Sequence, residues 1–132
     1  MAKYVYPAIF KKDGDFIFVE FPDFESCYTQ GESIIEAMEM ATDVLCLTLY
    51  DMEEGGKTIP APSEINSIVL SENDDSFISL VACDTIEYRK FYDNKAIKKT
   101  LTIPSWLNTM AERKGVNFSQ VLQDALKAQI NA

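Results

Sequence analysis

The alternation of apolar and polar residues predicts four strands in the first part of the chain. Residues 4–11 and 16–21 are rich in aromatic and β-branched side chains, and the Lys-Asp-Gly-Asp segment between them is typical of a hairpin turn. Residues 26–30 follow as a short third strand, and residues 76–84 (SFISLVACD) have the composition of a buried strand.

A long helix is predicted between the third and the fourth strand. Ser33 and Glu36 have the spacing of a capping box, in which each side chain satisfies a free amide of the first turn. Apolar residues then recur at helical spacing as far as about residue 52: Ile34, Ala37, Met38, Ala41, Leu45 and Leu49. A proline-containing loop at 57–65 follows, and residues 68–70 are a candidate for one more short strand. The order βββαβ predicts a small α+β domain over residues 1–84.

A second pattern begins at residue 98 with a short alternating run, KKTLTI. Leu101 and Ile103 fall on one face of this strand, and Lys98, Thr100 and Thr102 fall on the other. Pro104 removes a backbone donor and ends the strand, and we expect Ser105 to cap the helix that follows.

Two short helical patterns complete the tail and are separated by Gly115, which suits the left-handed end of the first helix. Asn117 is placed to cap the second helix. One strand and two short helices cannot enclose a core, so this segment predicts its own dimerisation. A basic unit that pairs its strand with that of a second copy is typical of DNA-binding proteins of the β-ribbon type.

Charge divides the chain in the same way. Residues 1–88 carry four Lys and Arg against eighteen Asp and Glu, whereas residues 89–132 carry eight against three. An acidic surface repels nucleic acid and attracts basic partners, and a basic surface does the reverse. We therefore expect two domains with different partners, 1–84 and 97–132, joined by a linker at 85–96 that is a candidate for a helix.

Composition removes several classes of function. The chain has no histidine, which excludes histidine-based catalysis and histidine-containing zinc sites. Its three cysteines are widely spaced and show no metal-binding pattern, as expected of reduced thiols in an intracellular protein. No signal peptide is expected, and no apolar run approaches the roughly 20 residues that span a bilayer. We expect a soluble cytoplasmic protein without cofactors.

The segment YPAIFKKDGDFIFVEFPDFESCYTQGESIIEAMEMATDVL, followed by IPAPSEI, resembles the N-terminal domain of HicB-family antitoxins. The most specific parts are YPAIF, VEFPDF with CYTQG, and the helix opening ESIIEAM. The tail from Lys98 is similar to the ribbon-helix-helix version of the C-terminal domain in this family. The resemblance covers nearly the whole chain.

The resemblance implies a partial ribonuclease-H-like domain followed by a dimeric ribbon-helix-helix domain. It also implies two partners: a HicA-like toxin, a small basic ribonuclease that cleaves mRNA, and the double-stranded operator DNA of its own operon. In the family, the N-terminal domain neutralises the toxin and the tail represses transcription.

The candidate DNA contacts are the outward face of the ribbon and the start of the last helix. Lysine can donate to guanine O6 and N7, and threonine can bond either base edge or touch a thymine methyl. The helix start offers free amides to a phosphate. The set comprises Lys98, Thr100, Thr102, Asn117, Phe118 and Ser119. The alternative is the solvated face of an ordinary edge strand beside a simple helix cap.

The apolar stripes of the tail are assigned to the core of the dimer. The set comprises Leu101, Ile103, Trp106, Leu107, Val121, Leu122 and Leu126. Exposed aromatics and clustered acids of the N-terminal domain are candidates for toxin contacts, namely Tyr6, Phe24, Tyr28, Glu53, Glu54, Asp74 and Asp75. The alternative is that these aromatics belong to the core and that the acids serve solubility and turns.

Two alternatives are an active metal-dependent nuclease and a stand-alone transcriptional regulator. A ribonuclease-H fold cleaves with clustered carboxylates that hold metal ions, but the acidic residues here flank turns and strand ends, and nothing places three of them on one wall. We therefore predict no catalytic or metal site. The remaining alternative is a stand-alone transcriptional regulator whose N-terminal domain senses a small ligand.

Overall fold

The computed structural model describes residues 2–72 and 74–132. It divides the chain into two compact units, the first ending at Asn94 and the second comprising Lys95–Ala132. Helix Thr85–Tyr92 lies in the first unit, within the segment that the sequence predicted as a linker and a candidate helix.

The first unit is built on a four-stranded antiparallel sheet. Its strands are β1 (Lys3–Asp13), β2 (Phe16–Glu20), β3 (Tyr28–Gly31) and β4 (Ser76–Asp84), in the spatial order β3-β2-β1-β4. Gly14 closes the hairpin between β1 and β2 with a φ of 62°, a left-handed conformation that glycine adopts without strain. The predicted hairpin and the predicted strand at residues 76–84 are confirmed.

Helix α1 (Ile34–Glu54) covers one face of the sheet. The Ser33 side chain accepts a hydrogen bond from the Glu36 amide at 3.1 Å, so the predicted cap is present. Gly31 brings β3 under the first turn of α1, where an added Cβ would lie 2.4 Å from the Ala37 amide nitrogen. The core lies between α1 and the sheet and consists of Tyr6, Ala8, Phe10, Val19, Phe21, Cys27, Ala37, Ala41, Leu45, Cys46, Leu49, Val81 and Cys83.

Pro7 lies in β1, which is an interior strand, although a proline usually occupies an edge. The Lys12 amide donates to the Asp75 carbonyl at 2.9 Å, so the even-numbered residues of β1 direct their backbone groups to β4. The backbone of Pro7 therefore faces the β2 side, and β2 has ended there because the β1–β2 pairing stops at Ile9 and Glu20. The missing N–H leaves no ladder bond broken.

The segment between α1 and β4 passes from the helix side of the sheet to its other face. The Pro60 carbonyl accepts a hydrogen bond from the buried Tyr6 hydroxyl, and the Ser63 amide donates to Asp23 at 3.1 Å. A single 3-10 turn follows at Ile65–Ser67. Residues 68–70 form no strand, so this expectation is wrong.

Helix α2 (Thr85–Tyr92) follows β4 directly. The Asp84 carboxylate caps it by accepting from the amides of Ile86 at 3.0 Å and Glu87 at 3.3 Å. Thr85 is fully buried, and α2 packs against α1. The region after β4 is therefore an integral part of the first unit.

The second unit contains helices α3 (Ser105–Arg113) and α4 (Phe118–Ile130). Pro104 occupies the N-cap position of α3 and Ser105 is already helical, so the expected Ser105 cap is wrong. Gly115 has a φ of 69°, and the Asn117 side chain accepts from the Gln120 amide at 3.1 Å, as predicted for the turn and for the second cap.

Candidate functional site

The second unit exposes its apolar residues. Neither α3 nor α4 contains a buried residue, and Trp106 is 65% exposed in the single chain. The other predicted dimer-core residues are exposed as well, except for the half-buried Leu122. They are Leu101, Ile103, Leu107, Val121 and Leu126. A unit of this composition lacks a core of its own.

Residues 98–103 are exposed and form no strand within the single chain. A two-stranded ribbon needs a partner strand from another copy, because β-strands are stabilised by pairing. The ribbon, and with it the roles of Lys98, Thr100 and Thr102, therefore stays a prediction.

The start of α4 is exposed at Phe118 and Ser119. The amides of a first helical turn have no partner inside the helix, and the helix dipole favours negative charge there. The Asn117 side chain serves the Gln120 amide at 3.1 Å. The backbone amides of Phe118 and Ser119 therefore stay available to a phosphate at the N-terminal end of α4.

Among the aromatic candidates of the first unit, only Tyr28 is on the surface, with 69% exposure. Tyr6 is 1% exposed and donates its hydroxyl proton to the Pro60 carbonyl, so the expectation that it is exposed is wrong. Phe24 is half-buried against the Tyr6 ring, at a centroid distance of 4.7 Å. The alternation of β1 explains the error, because even-numbered residues of this strand point to α1.

Glu53 is a structural residue of the first unit. Its carboxylate accepts from the Tyr4 hydroxyl at 2.8 Å, from the Thr85 hydroxyl at 3.0 Å and from Arg89 Nη2 at 3.0 Å. Its side chain is 6% exposed. The expectation that Glu53 lies on the surface as a toxin contact is therefore wrong, as it is for Tyr6.

The charge network around Glu53 shifts several pKa values. Burial raises the pKa of Glu53, but hydrogen bonds from groups including Tyr4, Arg89 and Thr85 outweigh it and lower the value to about 2. Burial and the bond to Glu53 raise the pKa of Tyr4 to about 12. Glu53 is consequently ionised and Tyr4 protonated at neutral pH.

Arg89 was not singled out by the sequence. It pairs with Glu53 and Glu54, lies 3.9 Å from Asp93, and stacks its guanidinium 4.6 Å from the Tyr50 ring centre. Burial lowers the pKa of Arg89, and the bonds to Glu54 and Glu53 raise it above its usual value. Glu53 and Glu54 lie 36 and 35 residues away in sequence, so no local pattern marks their pairing with Arg89.

The remaining acidic candidates lie on the surface. Glu54 is 51% exposed while it pairs with Arg89, and Asp74 lies 3.4 Å from Lys11 Nζ. Asp75 is exposed and uses its backbone carbonyl to bind the Lys12 amide. These three residues stay available to a partner.

The face of the sheet opposite α1 carries an apolar surface that the sequence reading did not identify. Val5, Phe18, Tyr28 and Leu80 lie on this face and are between 41% and 69% exposed. A groove of about 440 Å³ runs between Ile9, Phe18 and Tyr28 of the sheet and Val69 and Leu70 of the crossing segment. The alternation of side chains along each strand could have predicted which of these residues share a face. It could not have predicted that the segment between α1 and β4 crosses that face.

No metal centre is formed by the described parts of the chain, since no three His, Cys, Asp or Glu side chains in them are grouped to hold an ion. Asp23, one of the carboxylates considered for catalysis, instead binds the Ser63 amide and hydroxyl. Cys27, Cys46 and Cys83 are free and buried. None of the helices formed by residues 2–72 and 74–132 is long and apolar enough to cross a membrane.

These features define a small α+β protein, with one helix-covered sheet face and one partly open face, that carries a separate unit of two exposed amphipathic helices. The family model of the HicB-like antitoxin of bacterial toxin–antitoxin systems matches residues 6–125. The chain therefore belongs to the HicB-like antitoxins.

Individual relatives agree with this assignment. The chain is 38% identical to a chain of a toxin–antitoxin complex from Streptococcus pneumoniae, with 96% and 99% of the two chains covered and a TM-score of 0.62. The Burkholderia pseudomallei antitoxin HicB shares the fold at 20% identity, with a TM-score of 0.52 over 99% of this chain and 98% of that one. Antitoxin HicB of Escherichia coli K12 is 48% identical over 50 residues, which are 37% of this chain and 36% of that protein. The alignment thus spans about a third of that curated relative.

Proposed function

We propose that this antitoxin neutralises a HicA-like ribonuclease toxin with its first unit and represses its own operon with its second. The observation that carries the proposal is the division of the chain into an acidic unit with a complete core and a basic unit without a buried residue. The first unit has an acidic excess that a basic partner would complement, and the second has exposed apolar residues that a second copy would bury.

The second unit acts as a homodimer in this proposal. Two copies would pair residues 98–103 into a ribbon and bury the apolar sides of α3 and α4, including Trp106, Leu107, Val121 and Leu126. Burial of one large apolar side chain contributes about 1.5–3 kcal/mol, so several per copy can offset the cost of ordering the segment. This is the ribbon-helix-helix arrangement that the family resemblance implies.

The dimer would place its ribbon in the major groove of operator DNA. Lys98, Thr100 and Thr102 would meet the base edges, and the α4 amides of Phe118 and Ser119 would hold the flanking phosphates. The excess of positive charge after residue 89 favours this polyanionic partner. A palindromic operator would match the two-fold symmetry of the dimer.

The first unit would bind the toxin as a protein surface without catalysing a reaction. We propose that it is a partial ribonuclease-H-like fold that serves as a binding scaffold. Its strong acidic excess complements a basic ribonuclease, and such complementarity raises association rates and selects among partners. A solved relative carries the description of a HicA3 and HicB3 toxin–antitoxin complex, which supports a partner of this kind. Both partners place the protein in the cytoplasm.

The test combines the chain with the product of the adjacent gene, which the proposal expects to be a small basic protein, and with the DNA upstream of the two genes. We expect the two proteins to co-purify, the neighbour's mRNA cleavage to stop on mixing, and the upstream DNA to shift in a gel. A chain that shifts the DNA but never binds the neighbour would instead be a stand-alone regulator. Magnesium-dependent nuclease activity of the pure chain would contradict the proposal.

A further inference from the structure

Strand β4 forms a long open edge of the sheet. Its nine residues, Ser76–Asp84, pair with Lys3–Lys11 of β1 on one side only. No other strand formed by residues 2–72 and 74–132 lies along its second side. An open edge presents a row of backbone donors and acceptors to other chains.

The register identifies which backbone groups are open. The Lys12 amide donates to the Asp75 carbonyl at 2.9 Å and the Thr85 amide donates to the Ala2 carbonyl at 3.0 Å, so the odd-numbered residues of β4 face β1. The amides of Ile78, Leu80 and Ala82 therefore point away from the sheet. The Leu80 carbonyl has one intramolecular contact, a long one of 3.4 Å from the Ser79 hydroxyl.

This edge lacks the features that normally keep strands apart. Natural edge strands are short, bulged or covered, or they carry lysine or proline, and β4 has no charged residue or proline between Ser76 and Ala82. The opposite edge differs, because β3 has only four residues and its last one, Gly31, lies under α1. Only one edge of the sheet is thus suited to accept a strand.

Apolar side chains flank the open edge on both faces. Phe77 stacks on Phe10 at a centroid distance of 5.1 Å and is 46% exposed on the α1 side. Leu80 is 52% exposed on the opposite face. A strand added beside β4 would cover both side chains, so pairing would bury apolar area as well as satisfy backbone groups.

The charges at the two ends of β4 distinguish between occupants. Asp74 and Asp75 precede the strand and Asp84 ends it. Asp74 lies 3.4 Å from Lys11 Nζ, and Lys3 lies across from Asp84 in the β1–β4 register. If two copies paired antiparallel about Leu80, Asp84 of one copy would lie opposite Ser76 of the other, beside Asp75. Such a pairing would bring acidic residues close together at both ends of the strand without supplying an opposite charge, whereas a strand flanked by basic residues would place opposite charges there. The edge therefore favours a strand flanked by basic residues over a second copy.

We infer that the β4 edge receives an extended strand of the toxin, with basic residues at both ends, and that the sheet then gains a fifth strand. This inference rests on the proposed neutralisation of a basic toxin by the first unit. Backbone pairing aligns the two proteins, and the acidic ends of β4 select a basic partner.

Amide hydrogen exchange of the full chain tests the inference without any substitution. Alone, the amides of Ile78, Leu80 and Ala82 should exchange quickly, while those of Phe77, Ser79 and Val81 should already be protected by β1. When the product of the adjacent gene, expected to be the basic toxin, is added, exchange of the first three should slow at least about tenfold. A complex that leaves these three amides unprotected overturns the edge as the docking surface.

Leu80→Pro provides a matched variant. Proline removes an amide that points away from β1, so the β1–β4 ladder stays intact, and prolines are tolerated at such edge positions. We expect at least about tenfold weaker binding of the neighbouring protein, with an unchanged gel shift of the upstream DNA. Leu80→Val keeps the amide and an apolar side chain and should bind like the unaltered chain.

The outcomes separate this inference from the proposed function. If the unaltered chain fails to bind the neighbouring protein, both are wrong. If it binds and Leu80→Pro binds equally well, only the edge inference is wrong. If Leu80→Pro instead reduces self-association of the isolated chain in analytical ultracentrifugation, a second copy occupies the edge and the toxin strand is excluded.

Discussion

Arg89 and Glu53 join the last turn of α1 to α2 by a bond of 3.0 Å between Nη2 and Oε1. Both side chains are nearly buried, at 14% and 6% exposure. Arg89 lies after the last strand of the sheet, and Glu53 lies before the crossing segment. The pair therefore ties the end of the first unit to its core, next to the Thr85 hydroxyl that binds the same carboxylate at 3.0 Å.

The first prediction concerns this pair. Arg89→Met keeps the length of the side chain but leaves the Glu53 charge buried, and breaking a buried pair from one side costs about 3–5 kcal/mol. Tyr4 and Thr85 still donate hydrogen bonds to Glu53 in this variant. We therefore expect the free energy of unfolding to fall by about 3 kcal/mol, the lower end of this range. Urea denaturation followed by circular dichroism measures it.

Lys90→Met is the matched control for Arg89→Met. Lys90 pairs with Glu87 at 3.0 Å on the same helix, but both side chains are about half exposed or more. Exposed pairs contribute less than about 1 kcal/mol. Equal effects of the two substitutions would show that the Arg89–Glu53 pair does not anchor α2.

The second prediction follows from the Glu53 pKa of about 2, compared with an ordinary value of 4.5. A carboxyl group whose pKa is lower in the folded chain than in the unfolded chain stabilises the folded state. This contribution is fully present at pH values above the pKa of the unfolded chain, because the group is then ionised in both states. This contribution, about 3 kcal/mol in full, is lost as the pH falls from near 4.5 toward 2. Denaturation midpoints between pH 5 and 2.5 should fall steeply for the native chain, and Glu53→Gln should flatten the slope.

The sequence predicted the features that depend on residues close together in the chain, and it missed those that depend on residues far apart in the chain. The Gly14 turn and the Ser33 cap involve neighbours in sequence, and the α1 stripe repeats at a fixed spacing, so these features were predictable. The bond between Arg89 and Glu53 depends on how separate elements pack, and no local pattern encodes it. The exposure of Tyr6 was misjudged because the sequence does not show which of the two faces of β1 packs against α1.

The ribbon at residues 98–103 illustrates a different limit. Its alternation predicts a strand, but the single chain supplies no second strand to pair with it. The candidate DNA contacts therefore depend on an assembly that one chain cannot form. Their test has to be made in solution, with the operator present.

The third prediction addresses these contacts. Lys98→Ala and Thr100→Ala should each weaken operator binding by about ten- to a hundredfold, since a good base contact contributes about 1–3 kcal/mol of discrimination. Dimerisation and toxin binding should stay unchanged, because both side chains point away from the predicted core. Fluorescence anisotropy with operator and scrambled DNA measures the effect. An equal loss on both DNAs would assign these residues to phosphate contacts.

The fourth prediction concerns Trp106, which is 65% exposed in the single chain. If the second unit stayed monomeric, Trp106→Ala would change stability by no more than about 0.5 kcal/mol, as is usual for surface positions. In a dimer core, the same truncation should cost about 3–5 kcal/mol and abolish operator binding. Sedimentation and thermal melting at two protein concentrations distinguish the two cases, and Thr109→Ala on the same helix is the control.

The fifth prediction concerns where the toxin-neutralising fragment ends. The sequence suggested residues 1–84, but α2 packs on α1 and Arg89 closes the network around Glu53, so a fragment of residues 1–94 should keep a complete first unit. We expect 1–94 to neutralise the toxin without binding DNA, and 1–84 to be less stable by several kcal/mol because Glu53 loses its arginine while buried. Co-expression rescue of growth, together with denaturation of both fragments, measures this. If 1–94 folds like the full chain but fails to rescue, residues beyond Asn94 take part in neutralisation.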